Sequence, residues 1–83
     1  LAIRPLISGL RQKAEAIRTR ELARTLKYLD HADPATIEHV QHLSRSLVNK
    51  LLHEPTLRLR EKANEGEADD YMVTVRDLFG LEV

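Results

Sequence analysis

Apolar residues recur at helical spacing along most of the chain, and the first run of them predicts a helix from about Pro5 to Leu29. Pro suits a first helical turn because its missing N–H has no partner to find there. The apolar positions follow steps of one, three and four, which places them on one stripe. The stripe comprises Leu6, Ile7, Leu10, Ala14 and Ile17, and it then shifts around the axis to Leu22, Leu26 and Leu29. We expect such a helix to contact different neighbours along its two halves.

A second long helix is predicted from Pro34 to about His53, after a polar break over residues 30–34. Asp33 can cap this helix with its carboxylate, and Pro34 fits its first position. Its stripe is the strongest in the chain and comprises Ile37, Val40, Leu43, Leu47, Val48, Leu51 and Leu52. A face this wide is expected to pack against more than one neighbour.

The remaining residues predict two short helices. Pro55 is expected to end the second helix and to begin a third, which runs to a stop at Gly66. Residues 65–70 form an acidic connector, and a last short helix carries Tyr71, Val75, Leu78 and Phe79. The predicted fold is therefore all-α. It has two long antiparallel helices plus two short C-terminal helices in a single domain over residues 1–83, a helical bundle completed by dimerisation.

Composition narrows the possible functions. The 83 residues include no Cys, which excludes a thiolate metal site or a Cys nucleophile within them. No apolar run approaches the roughly 20 residues of a membrane span, so we expect no membrane partner. A chain this short is marginally stable without a staple or a partner. Since it also opens without Met, we expect it to be a fragment of a longer protein.

The formal net charge of zero hides an asymmetry along the chain. Residues 1–30 carry seven Lys or Arg against three Asp or Glu, whereas residues 61–83 carry two against seven. A basic first third can indicate a nucleic-acid-binding face. We favour mutual complementation of the two ends, within a chain or across a dimer, because overall neutrality removes most long-range attraction for phosphate.

Four polar residues of the second helix are candidates for a site. His39 and His42 lie three apart, as a metal-binding pair can, but no third ligand is evident beside them. We therefore predict a solvated polar face. Asn49 and His53 lie four apart, and we expect them to bind free backbone carbonyls around the break predicted at Pro55.

Two sets of carboxylates are candidates for acid–base catalysis. Glu15 and Glu21 each lie three residues before an arginine, which is the spacing of ordinary helix ion pairs. Asp69 and Asp70 are adjacent, and nothing around them in the sequence supplies the burial that shifts a carboxyl pKa. We therefore predict no catalytic role for either set.

The best case for RNA contact is a set of basic residues on the first helix: Arg4, Arg11, Lys13, Arg18, Arg20, Arg24 and Lys27. They are spread around the helix instead of sharing one face, and no aromatic residue interleaves with them to stack on bases. A stand-alone helical adaptor or RNA-binding module remains the alternative interpretation.

Three stretches resemble the C-terminal end of glutamyl-tRNA reductases. They are AEAIRTREL over residues 14–22, NKLLHEPT over residues 49–56, and LFGL over residues 78–81. The second is the most specific, whereas the first alone is typical of any polar helix. The similarity extends over nearly the whole chain.

The resemblance implies a fragment of an NADPH-dependent enzyme that converts glutamyl-tRNA to glutamate-1-semialdehyde in tetrapyrrole (porphyrin) biosynthesis. In that family a Cys nucleophile and a dinucleotide-binding domain lie outside the dimerisation domain, and neither the Cys nor a G-x-G-x-x-G motif occurs in these residues. The resemblance therefore implies no catalytic, cofactor-binding or metal residues here, and tRNA contacts mainly through other domains. It also implies a cytoplasmic location, or the plastid stroma if the source is a plant.

What the resemblance carries over is association with a second copy, and we place that role on the apolar stripes. The predicted dimer interface comprises Ile7, Leu10, Ala14, Ile17, Val40, Leu43, Leu47 and Leu51. The second helix is expected to lie at the centre of the dimer.

Overall fold

The chain forms a long antiparallel helical hairpin with a shorter helix folded against one end. A computed structural model describes residues 3–82, in which α1 spans Ile3–Lys27, α2 spans Pro34–Asn64 and α3 spans Ala68–Phe79. No strand occurs among these residues, so the predicted all-α class is confirmed. The first helix ends two residues before the predicted Leu29.

The turn between the two long helices ends with a side-chain cap. The backbone N–H of Thr36 donates to Oδ1 of Asp33 at 2.8 Å, and Pro34 occupies the first position of α2. This bond gives a partner to one of the helix-terminal N–H groups that have none within the helix. The predicted start of α2 is therefore confirmed.

Pro55 does not end α2, and the prediction of two short C-terminal helices was wrong. The helix continues through Pro55 to Asn64, so a single short helix follows it. Pro in a helix interior removes one backbone hydrogen bond and crowds the preceding turn, at a cost of about 3 kcal/mol. Continuation offsets this cost because it brings Leu59, 2% exposed, into the core against Leu6.

The connection to α3 is shorter than predicted. Gly66 adopts a left-handed φ of 74°, which residues without a Cβ adopt at little cost. The next helix begins at Ala68, so Asp69 and Asp70 lie in its first turn and not in a connector. Carboxylates there interact favourably with the positive end of the helix dipole, and the 12-residue helix ends before Gly80.

The core lies at one end of the hairpin, where all three helices meet. Its buried residues are Ile3, Leu6, Leu59 and Met72. The molecule measures 52 × 20 × 17 Å and has a Cα radius of gyration of 15.9 Å, against about 12 Å for a compact chain of this length. Among residues 3–82, therefore, nothing forms a covering layer over the half of the hairpin away from this core.

Candidate functional site

An apolar groove runs between α1 and α2 beyond the core, with a volume of about 520 Å3. Its walls come from residues 10–25 of α1 and 40–52 of α2, and Phe79 of α3 closes one end. Most of the lining is aliphatic: Leu10, Ala14, Ile17, Leu22, Val40, Leu43, Leu47, Val48, Leu51 and Leu52. A contiguous exposed apolar surface of this kind usually marks a site that binds a partner or ligand.

Three leucines of α2 form a ridge along one wall of the groove. Leu43, Leu47 and Leu51 lie four residues apart, which places them on one side of the helix. They are 58%, 61% and 75% exposed, and Ile17 on the opposite wall is 47% exposed. The accessible surface of the chain, 6407 Å2, correspondingly exceeds the roughly 5,000 Å2 expected of a compact 9.5 kDa monomer.

Polar contacts hold the two walls together. Nη1 of Arg11 donates to Oδ1 of Asn49 at 2.7 Å, and Nη1 of Arg18 donates to Oγ of Ser44 at 3.3 Å. Arg18 also pairs with Glu15 at 2.8 Å. The first two bonds cross from α1 to α2 and join the walls of the groove, whereas the pair with Glu15 lies within α1 and orients the Arg18 guanidinium.

Glu15 is held in its ionised form. The hydrogen bond from Arg18 lowers the pKa of the Glu15 carboxyl below its usual range, and the positive charges of Arg11 and Arg45 act in the same direction. A general acid at neutral pH needs a raised carboxyl pKa instead. Glu21 forms the other expected i,i+3 pair, with Arg24 at 3.5 Å. The predicted helix ion pairs are therefore confirmed.

The closed end of the groove depends on how α3 terminates. Nζ of Lys13 donates to the carbonyl oxygen of Gly80 at 3.5 Å, where the negative end of the α3 dipole favours a cation. Gly80 has a left-handed φ of 62°, and a Cβ there would lie 3.0 Å from Nζ of Lys13. This contact places Phe79, 42% exposed, at the groove.

Seven of the eight residues predicted for the dimer interface line this groove. Leu10, only 2% exposed, forms its floor. Ile7 is the exception, because it packs against the core cluster at the base of the hairpin. Phe79 was missed, since its place in the groove depends on the path of α3, which no periodicity in the sequence reveals. The assignment of these residues to a dimer contact stays a prediction.

The polar candidates on α2 are not brought together into a site. His39 and His42 are exposed, and residues 3–82 contain no group of three or more His, Asp or Glu side chains placed to hold a metal ion. The interpretation of Asn49 and His53 as partners of carbonyls at a helix end was wrong, because α2 does not end there. Asn49 instead accepts the bond from Arg11.

The two oppositely charged ends of the chain do not neutralise each other within one copy. Over the described range 3–82, no ion pair joins α1 to residues 61–82. Lys62 instead lies 3.3 Å from a carboxylate oxygen of Glu65 and 3.7 Å from one of Glu67. Complementation across a dimer stays a prediction.

Comparison with known proteins identifies the family of this chain. The family described as glutamyl-tRNAGlu reductase, dimerisation domain, matches residues 1–81. The chain belongs to this family. The resemblance seen in the sequence is therefore confirmed, and the groove is a feature of a glutamyl-tRNA reductase dimerisation domain.

Individual relatives agree with the family assignment. The chain is 47% identical to a glutamyl-tRNA reductase of Natranaerobius thermophilus and 46% identical to one of Chloroflexus aurantiacus, each over 94% of its length. It is 40% identical to a glutamyl-tRNA reductase of Thermosynechococcus vestitus, again over 94% of its length. The chain spans only 17–18% of the length of these relatives. No solved structure matches it.

Proposed function

We propose that this dimerisation domain joins two copies of the chain through the groove between α1 and α2. The observation that carries the proposal is the ridge of three exposed leucines beside a groove of matching apolar character. Because a two-fold axis makes the same patch face itself, one groove and one ridge per copy are sufficient for a closed dimer.

The free energy that burial of the ridge leucines would contribute supports the proposal. Burying a Leu side chain completely contributes about 1.5–3 kcal/mol. Leu43, Leu47 and Leu51 are each more than half exposed, so covering them contributes roughly 3–6 kcal/mol per copy. The surface in excess of a compact monomer, roughly 1,400 Å2, exceeds the about 800 Å2 per partner that a standard interface buries. The elongated chain therefore has enough exposed surface for an interface of that size, and the exposed leucines place its apolar part at the groove.

We further propose that these residues serve an enzyme whose chemistry lies elsewhere. The relatives are named glutamyl-tRNA reductase, and this chain corresponds to less than a fifth of them. A nucleophilic Cys and a glycine-rich dinucleotide motif do not occur in the 83 residues. Reduction of glutamyl-tRNA with NADPH, and most contact with tRNA, would then belong to residues outside this chain. Among residues 3–82 no helix is long and apolar enough to cross a membrane.

The experiment that tests dimerisation is sedimentation velocity on a matched pair of variants. Leu47→Glu places a carboxylate on a ridge position that is 61% exposed, and Val73→Glu makes a comparable change on α3 at a position that is 63% exposed. In a monomer both changes place a carboxylate on a largely exposed helix position, so we expect each to have only a small effect. In the proposed dimer only the first buries a charge, once in each copy, at a cost of several kcal/mol.

We expect Leu47→Glu to sediment as monomer or to unfold, and Val73→Glu to remain a dimer. Circular dichroism on each sample separates dissociation from loss of helix. Equal behaviour of the two variants would remove the groove from the interface.

A further inference from the structure

The leucine ridge of α2 is bordered by charged side chains on its own face. Lys50 follows Leu43 by seven residues and Glu54 follows Leu47 by seven, a spacing close to two helical turns. Both lie on the side of the helix that carries the ridge, and both are exposed, with the Glu54 side chain 72% accessible. Arg58 follows Leu51 by the same seven residues and pairs with Glu54 at 3.5 Å. Anything that covers the ridge must therefore accommodate these charged side chains.

A second α2 related by a two-fold axis has two limiting orientations, and the charges distinguish them. An axis along the helices gives a parallel pair, in which every residue meets its own copy. Lys50 then faces Lys50 of the partner subunit, which is repulsive. Glu54 also faces its own copy, although Arg58 at 3.5 Å offsets part of that repulsion. An axis perpendicular to the helices gives an antiparallel pair, in which only the central residue meets its own copy.

We propose that α2 packs antiparallel against α2 of a second copy, with Leu47 nearest the two-fold axis. The proposal rests on the dimer proposed above and specifies its geometry. Leu47 lies midway between the other two ridge leucines, so centring the pair there places Leu43 beside Leu51 of the partner subunit and covers all three.

Glu54 already pairs with Arg58 of its own copy at 3.5 Å, and the same register provides it with a second partner of suitable chemistry. His39 lies eight residues before Leu47, and Glu54 lies seven residues after it. In an antiparallel pair centred on Leu47, the imidazole of His39 is therefore within one residue of the level of Glu54 of the partner subunit, twice per dimer. Both residues are exposed at the margin of the ridge, and an imidazole N–H can donate to a carboxylate oxygen.

Disulfide cross-linking tests the orientation directly, because the chain contains no Cys of its own. The variants are Leu43→Cys, Leu51→Cys and Leu47→Cys, each oxidised under mild conditions alone. In addition, 15N-labelled Leu43→Cys is mixed with unlabelled Leu51→Cys before oxidation, and mass spectrometry distinguishes the products. A disulfide requires Cα atoms about 4.4–6.8 Å apart, whereas two copies of position 43 are separated by about 12 Å along the axis of an antiparallel pair.

We expect Leu47→Cys to cross-link with itself. The mixture should give the mixed-label product, while Leu43→Cys and Leu51→Cys alone should give little. If a ridge variant loses its helical circular dichroism signal, His39→Cys and Glu54→Cys replace it at exposed positions, again with the mixed product expected.

Three results would count against the proposal, and sedimentation separates them. A dimer in which Leu43→Cys and Leu51→Cys each cross-link with themselves is parallel. A dimer with no cross-link at any of these positions has another register or interface. A monomer refutes the proposed function itself.

Discussion

Truncating Leu51, an exposed leucine in the groove lining, should destabilise this domain if, and only if, a second copy covers the groove. Leu51 is 75% exposed and Leu78 is 73% exposed, but only Leu51 lines the groove. In a monomer, Leu→Ala at either position removes almost no buried surface, and the higher helix propensity of Ala makes the change neutral or slightly stabilising.

The dimer changes the expected effect of Leu51→Ala. Covering three quarters of a Leu side chain contributes about 1–2 kcal/mol per copy, hence about 2–4 kcal/mol per dimer. Since 1.4 kcal/mol corresponds to a factor of ten, the dissociation constant should rise roughly 30- to 1,000-fold. Leu78→Ala, which lies outside the groove lining, should leave the constant within a few-fold of the unmodified chain.

Sedimentation equilibrium at several loading concentrations measures both constants, and urea unfolding at two protein concentrations gives the linked change in stability. Indistinguishable dissociation constants for Leu51→Ala and Leu78→Ala would refute the proposed interface, because the ridge would then contribute nothing to association.

Three further predictions concern the fold and the limits of the function. Asp33→Ala should lower the melting temperature by removing the bond to Thr36, and that bond lowers the pKa of Asp33 in the folded chain. The difference in melting temperature between variant and unmodified chain should therefore be largest above about pH 4 and shrink as pH falls through the folded pKa, which melting curves from pH 7 to pH 2 would show or exclude. Pro55→Ala should raise the free energy of unfolding by about 1–3 kcal/mol, since it restores a backbone hydrogen bond within α2. An unchanged or lower free energy of unfolding in urea would indicate that the helix breaks at this residue. The isolated chain should show no saturable NADPH binding in a fluorescence titration, and tRNA binding in gel shifts should be weak and fall steeply with salt; sub-micromolar, tRNA-selective binding at about 150 mM salt would instead support an RNA-binding module.

Local rules predicted much of the fold because they act over a few residues. The cap at Asp33 follows from a carboxylate placed just before Pro34, and the left-handed Gly66 follows from a glycine after a helical run. The pairing of Glu15 with Arg18 likewise depends only on helical spacing. In each case the interacting groups are close in sequence, so no knowledge of the tertiary fold was needed.

The errors arose where a distant contact outweighs a local preference. Pro55 disfavours a helix, but the prediction could not include the burial of Leu59 against α1 and α3, which continuation makes possible. Similarly, Phe79 reaches the groove only because α3 folds back and Lys13 contacts the carbonyl of Gly80. Neither effect can be read from apolar spacing along one helix.

The predicted interface residues include some that local spacing placed correctly and one whose position a distant contact decides. Leu43 and Leu51 lie on one face of α2 by spacing alone, and the structure leaves that face exposed. Ile7 belongs to an equally regular stripe on α1, yet it packs into the core at the base because α3 covers that end of the helix. A periodic stripe therefore identifies a surface that must be buried, whereas the tertiary fold determines which part is buried within one chain.

The central claim, that two copies associate through the uncovered groove, is tested most directly by sedimentation equilibrium of the unmodified chain over a wide concentration range, with melting followed by circular dichroism on the same samples. We predict a mass close to twice the 9.5 kDa of one copy at high concentration, and a melting temperature that rises with concentration because folding and association are linked. A well-folded species of 9.5 kDa at every concentration, with a constant melting temperature, would contradict the account.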